Sequence, residues 1–566
     1  MNVSPWRQRG WVLAWLVLVL AAYAVRGPLP IDETRYLSVA WEMWLRGDFL
    51  VPYLNGVPYP HKPPLLFWVF HLGWKLFGVN EWWPRLVPPI FALVSLFLTQ
   101  KLARRLWPLH PQVAVAAPWL LVGTLLWAIW VPPTTFDMLL TALVIAAVLA
   151  LVLAAQGRRV LGFGVVALAC GLGILAKGPV MLLHVLFPAM LAPWWHERPR
   201  RQPLAWYGGL LLALVIAAGI ALAWALPAAE SGGHAYENAI LWRQTADRVF
   251  NSFAHQQPWW WYLPWLLIFL LPWTLWPPLW RAIIRMRHDL DNSVRLCIAW
   301  ILPTFLTLSL ISGKQAYYIL PLLAPGALLA ARAICAFEGP APRRSQMLVT
   351  LSLLLPFVVF IAWSIGWRSA GLPVWASSVH PLWGAALAVV GLALLFRAWS
   401  RARDAVVPVA LASVGAIVLI QVGVFRTVTA AIDVKPAASF LAALQQDNVP
   451  VAHVSKYDGQ YQFLGRLRKP LDVIEGPDLA AWIKDHPRGY VLLYVDDAGW
   501  TIRPQPEFIQ PYRGRWLAIV PGEQALSLPG YRQYRVERSR HARLDPQGTA
   551  STTDKTNLVR LGCSSI

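Results

Sequence analysis

Long apolar runs separated by short polar segments dominate most of this chain. A helix that crosses a bilayer needs about 20 mainly apolar residues, and such runs recur from the first residues to about position 425. The pattern predicts about thirteen transmembrane helices, at about 10–26, 86–104, 112–131, 136–155, 160–176, 178–196, 204–227, 259–280, 294–311, 315–335, 346–366, 379–397 and 405–425. We therefore expect a polytopic α-helical membrane protein.

Basic residues occupy every second loop between these runs. Because Lys and Arg are enriched in cytoplasmic loops, the alternation predicts one topology for the whole chain, with a cytoplasmic N-terminus. The residues that mark the inner side are Arg7, Arg9, Arg104, Arg105, Arg158, Arg159, Arg198, Arg200, Arg201, Arg281, Arg285, Arg287, Arg343, Arg344, Arg397, Arg401 and Arg403. The loop at 27–85 is then predicted to lie outside. Because the number of spans is odd, the chain after about position 425 is predicted to lie outside as well.

Composition agrees with this topology. Of 566 residues, 57% are hydrophobic and 14% are charged, whereas soluble domains carry about 25% charged residues. The net charge of +21 resides mostly in the inner loops, so it indicates no nucleic-acid partner. The four cysteines have neither metal-ligand spacing nor a disulfide framework.

The pattern changes after position 425. Helical periodicity there alternates with short β-rich runs such as "VPVAHV" and "YVLLYV", which predicts a small α/β domain. We expect a transmembrane domain at 1–425 with juxtamembrane surface helices in the loop 27–85, an outer α/β domain at 426–540, and a polar, poorly ordered tail at 541–566.

The first outer loop carries a concentration of reactive side chains. Asp32, Arg35 and Tyr36 have i, i+3, i+4 spacing, and Pro30 and Asp32 suit a helix start, so a helix here would place the three on one face. Tyr59, His61 and Lys62 follow in the same loop. An isolated acidic pair is more often a solvated helix N-terminus than a site.

Other ionisable residues fall on the same side of the membrane. Asp137 lies at the outer mouth of a span, Lys177 lies between two apolar helices, and Lys314, Tyr317 and Tyr318 lie in another outer loop. Asp137 as a helix cap and Lys177 as a snorkelling side chain are alternatives. Their accumulation instead indicates a site at the outer surface, where cations suit a lipid-linked phosphate and carboxylates suit a sugar.

The stretches that carry these residues resemble a known family. The Asp-Glu pair after the first span, "YPHKPPLLFW", "TTFDMLL", "GILAKGP" and "KQAYYILPLLAPGALLA" are similar to the bacterial protein-mannosyltransferase-like branch of the GT-C glycosyltransferases. Within that branch the chain resembles the lipid A 4-amino-4-deoxy-L-arabinose transferases. The resemblance covers the whole chain and implies an inverting transfer from undecaprenyl phosphate to a lipid A phosphate.

The resemblance also implies roles for individual residues. Asp32 would be the catalytic carboxylate with Glu33 beside it, and the phosphate of the donor would be held by Arg35, Tyr59, Lys62, Lys177 and Arg248. Sugar recognition would fall to Asp137 and Tyr318, with accessory positions at Tyr36, His61, His255, Lys314 and Tyr317. The active site and the C-terminal domain would lie on the periplasmic side of the bacterial inner membrane, in a monomer that requires no cofactor, and activity would confer resistance to polymyxin and other cationic peptides.

The chain departs from the family pattern at three places. His61-Lys62-Pro63 stands where the aminoarabinose group commonly has Glu-Lys-Pro, and Lys314-Gln315-Ala316-Tyr317-Tyr318 stands where it has Lys-Leu-Pro-x-Tyr. Thr245 occupies the place of a histidine shortly before Arg248. These departures adjoin the expected site and leave the donor sugar open. His61 and His255 could bind a divalent metal with a carboxylate, although hydrogen bonding is the commoner role.

Other functions stay open at this point. A related transferase could use another sugar or a hydroxyl acceptor on protein or glycan, in which case Asp32 must act as a general base. A lipid flippase or transporter would place charges near the bilayer midplane on repeated, interrupted helices, whereas these charges lie near helix ends and no repeat is visible. A non-catalytic scaffold would leave the carboxylates and cations of several loops unexplained.

Overall fold

The computed structural model describes residues 5–240, 256–288, 290–364, 379–495 and 506–526. Within these ranges the chain divides into two compact units. The first comprises Met1–Ala438 and Asp458–Pro470, and the second comprises Ser439–Tyr457 and Leu471–Ile566.

The first unit is built from helices. Its first thirteen are α1 Pro5–Val25, α2 Asp32–Arg46, α3 Leu65–Phe77, α4 Trp82–Leu106, α5 Pro111–Val122, α6 Leu125–Trp130, α7 Asp137–Ala155, α8 Arg159–Lys177, α9 Val180–Met190, α10 Ala192–Trp195, α11 Glu197–Arg201, α12 Pro203–Gly232 and α13 His234–Asn238. The later α-helices are Tyr262–Phe269, Pro277–Met286, Asn292–Leu310, Leu323–Ala336, Met347–Ser364, Leu382–Leu395, Ala402–Ile420 and Arg426–Ala430, and the helix Lys435–Gln446 begins in this unit and ends in the second. Short 3-10 turns cover Trp273–Leu275, Ala316–Leu322 and Arg343–Gln346, and a π-helical turn covers Gln421–Phe425.

Helices or broken helices occupy the described parts of the predicted apolar runs. Among the described residues, eight helical segments are long and apolar enough to cross a bilayer. The run predicted at 112–131 is divided into α5 and α6, because the helix stops at Gly123 and Thr124 has an extended backbone. The run predicted at 259–280 is likewise interrupted, at Pro272 and again near Pro277. Proline removes a backbone donor and clashes with the preceding turn, which explains the breaks in the second of these runs.

One continuous apolar core joins most of these helices. It is formed by α1, α4, α5, α7, α8 and α9 together with the later helices, and the fully buried Trp11, Trp119, Trp127 and Trp300 are among its largest side chains. Helix α7 is the most completely buried of the candidate membrane-spanning helices. The residue that begins α7, Asp137, is therefore held in a rigid setting.

The loop predicted at 27–85 contains two helices, α2 and α3. Helix α2 begins at Asp32, as its sequence predicts, and ends at Gly47, whose φ of 65° suits the left-handed C-cap that glycine tolerates. The hairpin of β1 (Tyr53–Leu54) and β2 (Val57–Pro58) and then α3 follow. One face of α2 is buried, and Leu37, Val39, Ala40 and Met43 are completely inaccessible to solvent.

The second unit is a small α/β fold, as its sequence predicts. Its sheet has the strand order β4-β3-β5-β7-β6, with β3 (Val451–Val454), β4 (Asp472–Ile474), β5 (Tyr490–Val495), β6 (Phe508–Tyr512) and β7 (Arg515–Pro521). β3 runs parallel to β4 and β5, whereas β7 runs antiparallel to both β5 and β6. Short helices at Leu479–Asp485 and Gly522–Ala525 complete the unit.

The boundary between the units differs from the one predicted at 425. Residues up to Ala438 and the returning segment Asp458–Pro470 both belong to the helical unit. The returning segment packs there because it buries Tyr461 and Phe463 completely, and Phe463 stacks on Trp74 of α3 with 5.3 Å between the ring centroids. The tail predicted at 541–566 lies outside the described residues.

Candidate active site

Helix α2 presents the first group of site residues. Arg35 donates from Nη2 to the carboxylate of Asp32, three residues earlier, so the predicted helical face exists. Arg35 also donates from Nη1 to Oδ1 of Asp458, at 3.2 Å. The side chain of Asp32 is 48% exposed, against 22% for Arg35 and 18% for Asp458. The carboxylate at position 32 is therefore reachable from solvent, while its arginine partner is held from two sides.

The electrostatics of this group favour a charged Arg35. Burial lowers the pKa of Arg35, but the neighbouring Tyr59 and Asp32 raise it, and the net shift is upward. Burial and the nearby Asp32 raise the pKa of Tyr36 well above its ordinary value, so its phenol stays neutral. The group thus offers a permanent cation, a neutral hydroxyl and a carboxylate along one helix face.

Aromatic rings connect this helix to the next predicted position. Tyr36 meets Phe136 edge to face, with 5.0 Å between centroids, and Phe136 immediately precedes Asp137. The ammonium of Lys62 lies 5.8 Å from the centroid of Tyr36 and 5.6 Å from that of Phe136. Tyr59 is buried and its ring lies 5.1 Å from that of the exposed His61. Lys62 and Tyr59 thus lie beside the residues of α2, and His61 adjoins Tyr59.

Asp137 and Lys177 form a buried ion pair. Lys177 Nζ contacts Asp137 Oδ1, and the two side chains are 7% and 5% exposed. Asp137 Oδ2 accepts a hydrogen bond from Trp130 Nε1 at 3.0 Å. The Lys177 ammonium also lies 4.6 Å from the ring centroid of Tyr317 and 5.1 Å from that of Tyr318. The resemblance assigned these two charged residues to opposite ends of the donor, yet here they neutralise each other.

Lys314 is also enclosed, but by backbone oxygens. Its ammonium donates to the carbonyl oxygen of Gln257 at 2.9 Å and to that of Ile311 at 2.6 Å, and burial lowers its pKa. These contacts fix the loop that carries Tyr317 and Tyr318. Arg248 and His255 lie outside the described residues.

Glu33 faces away from the Asp32 group. Its Oε1 accepts a hydrogen bond from Arg26 Nη1 at 2.6 Å, and its Oε2 accepts one from the backbone N–H of Thr134 at 2.9 Å. Both side chains of the Glu33–Arg26 pair are 7% exposed. Arg85 adds a hydrogen bond to the Arg26 carbonyl oxygen at 2.5 Å. These contacts support a positioning role for Glu33, which ties α2 to the end of α1 and to the loop before α7.

A substitution tests this role. Glu33→Gln removes the anionic partner of buried Arg26, so we expect the free energy of unfolding to fall by about 3 kcal/mol. Glu197→Gln is the control. Glu197 forms an exposed ion pair with Arg201 on α11, and its loss should cost about 1 kcal/mol or less. Thermal unfolding in detergent measures both, and equal losses would contradict the positioning role.

Sequence reasoning did not identify several residues of the site. Arg26 ends the first apolar run, where a charged residue is expected at the edge of a membrane span. Phe136 and Trp130 resemble the aromatic residues that are common in membrane segments. Asp458 lies 423 positions from Arg35, in a segment with no catalytic motif. Within the described ranges, no group of three or more His, Cys, Asp and Glu residues is arranged to hold a metal ion.

Comparisons with known proteins identify the family of this chain. A family model described as dolichyl-phosphate-mannose-protein mannosyltransferase matches residues 61–224. The undecaprenyl phosphate-α-4-amino-4-deoxy-L-arabinose arabinosyl transferase of Pseudomonas paraeruginosa is 32% identical over 391 residues, which cover 63% of this chain and 69% of that relative. The chain belongs to this arabinosyl transferase family.

Two further comparisons bear on coverage and fold. Arabinosyl transferase 1 of Pseudomonas fluorescens is 32% identical over 335 residues, 58% of this chain, and the match spans 57% of the relative's length. The crystal structure of ArnT from Cupriavidus metallidurans bound to undecaprenyl phosphate aligns with a TM-score of 0.70 at 20% identity, over 90% of this chain and 98% of that one. The chain is accordingly a polytopic membrane protein with the fold of the GT-C transferases, as the sequence predicts.

Proposed function

We propose that this protein transfers 4-amino-4-deoxy-L-arabinose from undecaprenyl phosphate to a phosphate group of lipid A, with inversion at the anomeric carbon. The observation that carries the proposal is the α2 group, in which an exposed Asp32 adjoins a doubly held Arg35 and Lys62 lies close by. The names of the arabinosyl transferase relatives supply the sugar and the lipid carrier.

The phosphate of the donor suits Arg35, Lys62 and Tyr59. Arg35 and Lys62 are cations fixed by protein contacts, and fixed donors stabilise charge that grows on a leaving phosphate without having to reorganise. An arginine fork matches two phosphate oxygens, whereas the lysine acts as a point charge. Tyr59, which is buried next to Arg35, would line the same phosphate site.

The reaction is one displacement at the anomeric carbon. An oxygen of the acceptor phosphate forms a bond to C1 while the bond from C1 to the oxygen of the undecaprenyl phosphate breaks, and that oxygen retains the bonding electrons. A phosphate monoester is already largely ionised near neutral pH, since its second pKa is about 6. Asp32 therefore has to orient the acceptor or stabilise positive charge at C1, and it need not remove a proton.

The buried Asp137–Lys177 pair suits the sugar end of the donor. The carboxylate of Asp137 and the ring of Tyr318 adjoin Lys177, and we assign sugar recognition to this side of the site. Arg248, a further candidate for the phosphate, stays a prediction. We place the site on the periplasmic face of the inner membrane of a monomeric enzyme. The step described uses Asp32 and the cations and requires no cofactor.

The consequence for the cell follows from charge. A 4-aminopentose on a lipid A phosphate adds an ammonium to an anionic headgroup, which weakens the attraction of the membrane surface for cationic peptides such as polymyxin.

A transfer assay in detergent tests the proposal. Purified protein is incubated with undecaprenyl-phosphate-linked 4-amino-4-deoxy-L-arabinose and lipid A, and mass spectrometry follows the acceptor. We expect lipid A to gain one aminopentose residue. A lipid flippase needs a sealed bilayer to show activity, so transfer in detergent separates the two functions. Transfer only to a hydroxyl acceptor, or no transfer, would overturn the proposal.

A further inference from the structure

The segment Asp458–Pro470, here named the return segment, belongs to the helical unit although it follows a strand of the other unit. It is bonded to α2 along its length. The backbone N–H of Phe463 donates to Ser38 Oγ at 3.1 Å, and Trp41 Nε1 donates to the carbonyl oxygen of Leu467 at 2.9 Å. The same helix carries Asp32 and Arg35, so the position of Asp458 relative to Arg35 is fixed by several independent contacts.

Further contacts hold the return segment to the β1–β2 hairpin and to Trp41 of α2. Gln462 Nε2 donates to Asn55 Oδ1 at 2.8 Å. The Arg466 guanidinium lies 3.8 Å from the centroid of Phe463 and 5.6 Å from that of Trp41. A segment that is held at this many points provides a rigid support for a charged side chain at its start.

Arg35 has an asymmetric set of partners. Nη1 donates to Asp458 and Nη2 donates to Asp32, whereas Nε is buried and has no hydrogen-bond partner among the described residues. Nε and Nη2 form one edge of the planar guanidinium, and that edge is a fork that matches two oxygens of a phosphate. A buried donor without a partner is costly, which favours a ligand that supplies an oxygen to it.

We propose that Asp458 is a positioning residue, which holds the Nη1 side of Arg35 while the Nε and Nη2 edge binds the donor phosphate. On this account the phosphate takes the place of Asp32 on Nη2 and satisfies Nε as well. Asp32 is then released from Arg35 only when the donor is bound, at the moment when its carboxylate is needed at C1. The inference rests on the proposed function, since it takes the phosphate of the lipid carrier as the ligand of Arg35.

Removal of the carboxylate at position 458 provides the test. Asp458→Asn should raise the dissociation constant of undecaprenyl phosphate, measured by native mass spectrometry in detergent, by about tenfold. In the transfer assay the KM for the donor should rise by a similar factor while kcat changes by about twofold or less. Asp458→Ser is a second variant without the charge, and Asp458→Glu should restore most of the affinity. Asp485→Asn, at an exposed carboxylate of the second unit, is the matched control.

A double-mutant cycle separates positioning from a general structural effect. Arg35→Lys lacks the fork, so adding Asp458→Asn to it should weaken binding by much less than tenfold. An equal loss in both backgrounds, or wild-type affinity in Asp458→Asn and Asp458→Ser, would overturn the proposal for Asp458 alone. Failure of the unaltered protein to bind undecaprenyl phosphate would instead overturn the proposed function together with it.

Discussion

Asp32→Asn is expected to lower the rate of sugar transfer by about a thousandfold and to leave the binding of undecaprenyl phosphate intact. The side chain of Asp32 is 48% exposed, and its carboxylate is the most accessible among the acidic groups of the site. Asparagine has nearly the same shape but no charge, so it can neither stabilise positive charge at C1 nor accept a proton. Binding should persist or strengthen, because Arg35 loses its carboxylate competitor on Nη2.

The acceptor decides how complete this loss is. A phosphate acceptor is already ionised, whereas a hydroxyl must lose a proton, so the residual rate of Asp32→Asn should be lower with a hydroxyl acceptor. Glu81→Gln is a suitable control, since Glu81 forms a surface ion pair with Lys435 and touches none of the site residues described above. Single-turnover transfer with each acceptor provides the measurement. Wild-type rates in Asp32→Asn would reject the catalytic assignment.

The sequence predicted the helical scaffold because its signals are local. Apolar runs located most of the long helices, and Pro30 with Asp32 located the start of α2. The i, i+3 spacing of Asp32 and Arg35 is sufficient to place them in contact once the helix is known. Asp137 and Lys177 were identified individually as outer ionisable residues, because a charge at the end of an apolar run is conspicuous.

The sequence does not predict which distant charged residues pair with each other. The contact of Asp137 with Lys177 depends on how α7 packs against α8, and no periodicity in either helix encodes the partner. Glu33 adjoins Asp32 in sequence, yet the helical rotation between adjacent residues turns it toward Arg26 and Thr134. Asp458 reaches Arg35 because its segment is held on α2 and α3, where the backbone N–H of Phe463 donates to Ser38 and the Phe463 ring stacks on Trp74.

These pairings explain how the site stays preorganised. Each cation near α2 has a defined partner: Arg35 has two carboxylates, Lys62 has two aromatic rings, and Lys177 has Asp137. A fixed cation loses little conformational freedom when it binds a phosphate, which favours affinity and stabilisation of the transition state. Of these cations, Lys177 is the most deeply enclosed, and its pair is therefore where charge removal should affect stability most.

Removal of one partner of the Asp137–Lys177 pair is expected to destabilise the protein by about 3–5 kcal/mol. Lys177→Met leaves a buried carboxylate that still accepts a hydrogen bond from Trp130 Nε1, and Asp137→Asn leaves a buried ammonium against the rings of Tyr317 and Tyr318. Thermal unfolding in detergent should show both losses. Arg201→Gln, which breaks an exposed pair with Glu197, should cost about 1 kcal/mol or less.

The double variant Asp137→Asn with Lys177→Met distinguishes a structural pair from a functional one. It buries no net charge, so most of the lost stability should return, because an uncompensated buried charge causes the loss in each single variant. If Asp137 recognises the sugar, transfer should stay low in the double variant, with a raised KM for the donor. Recovery of stability together with wild-type transfer would show that the pair only supports the fold. Continued instability would instead mean that the destabilisation comes from lost packing around α7 and α8 and not from the buried charge.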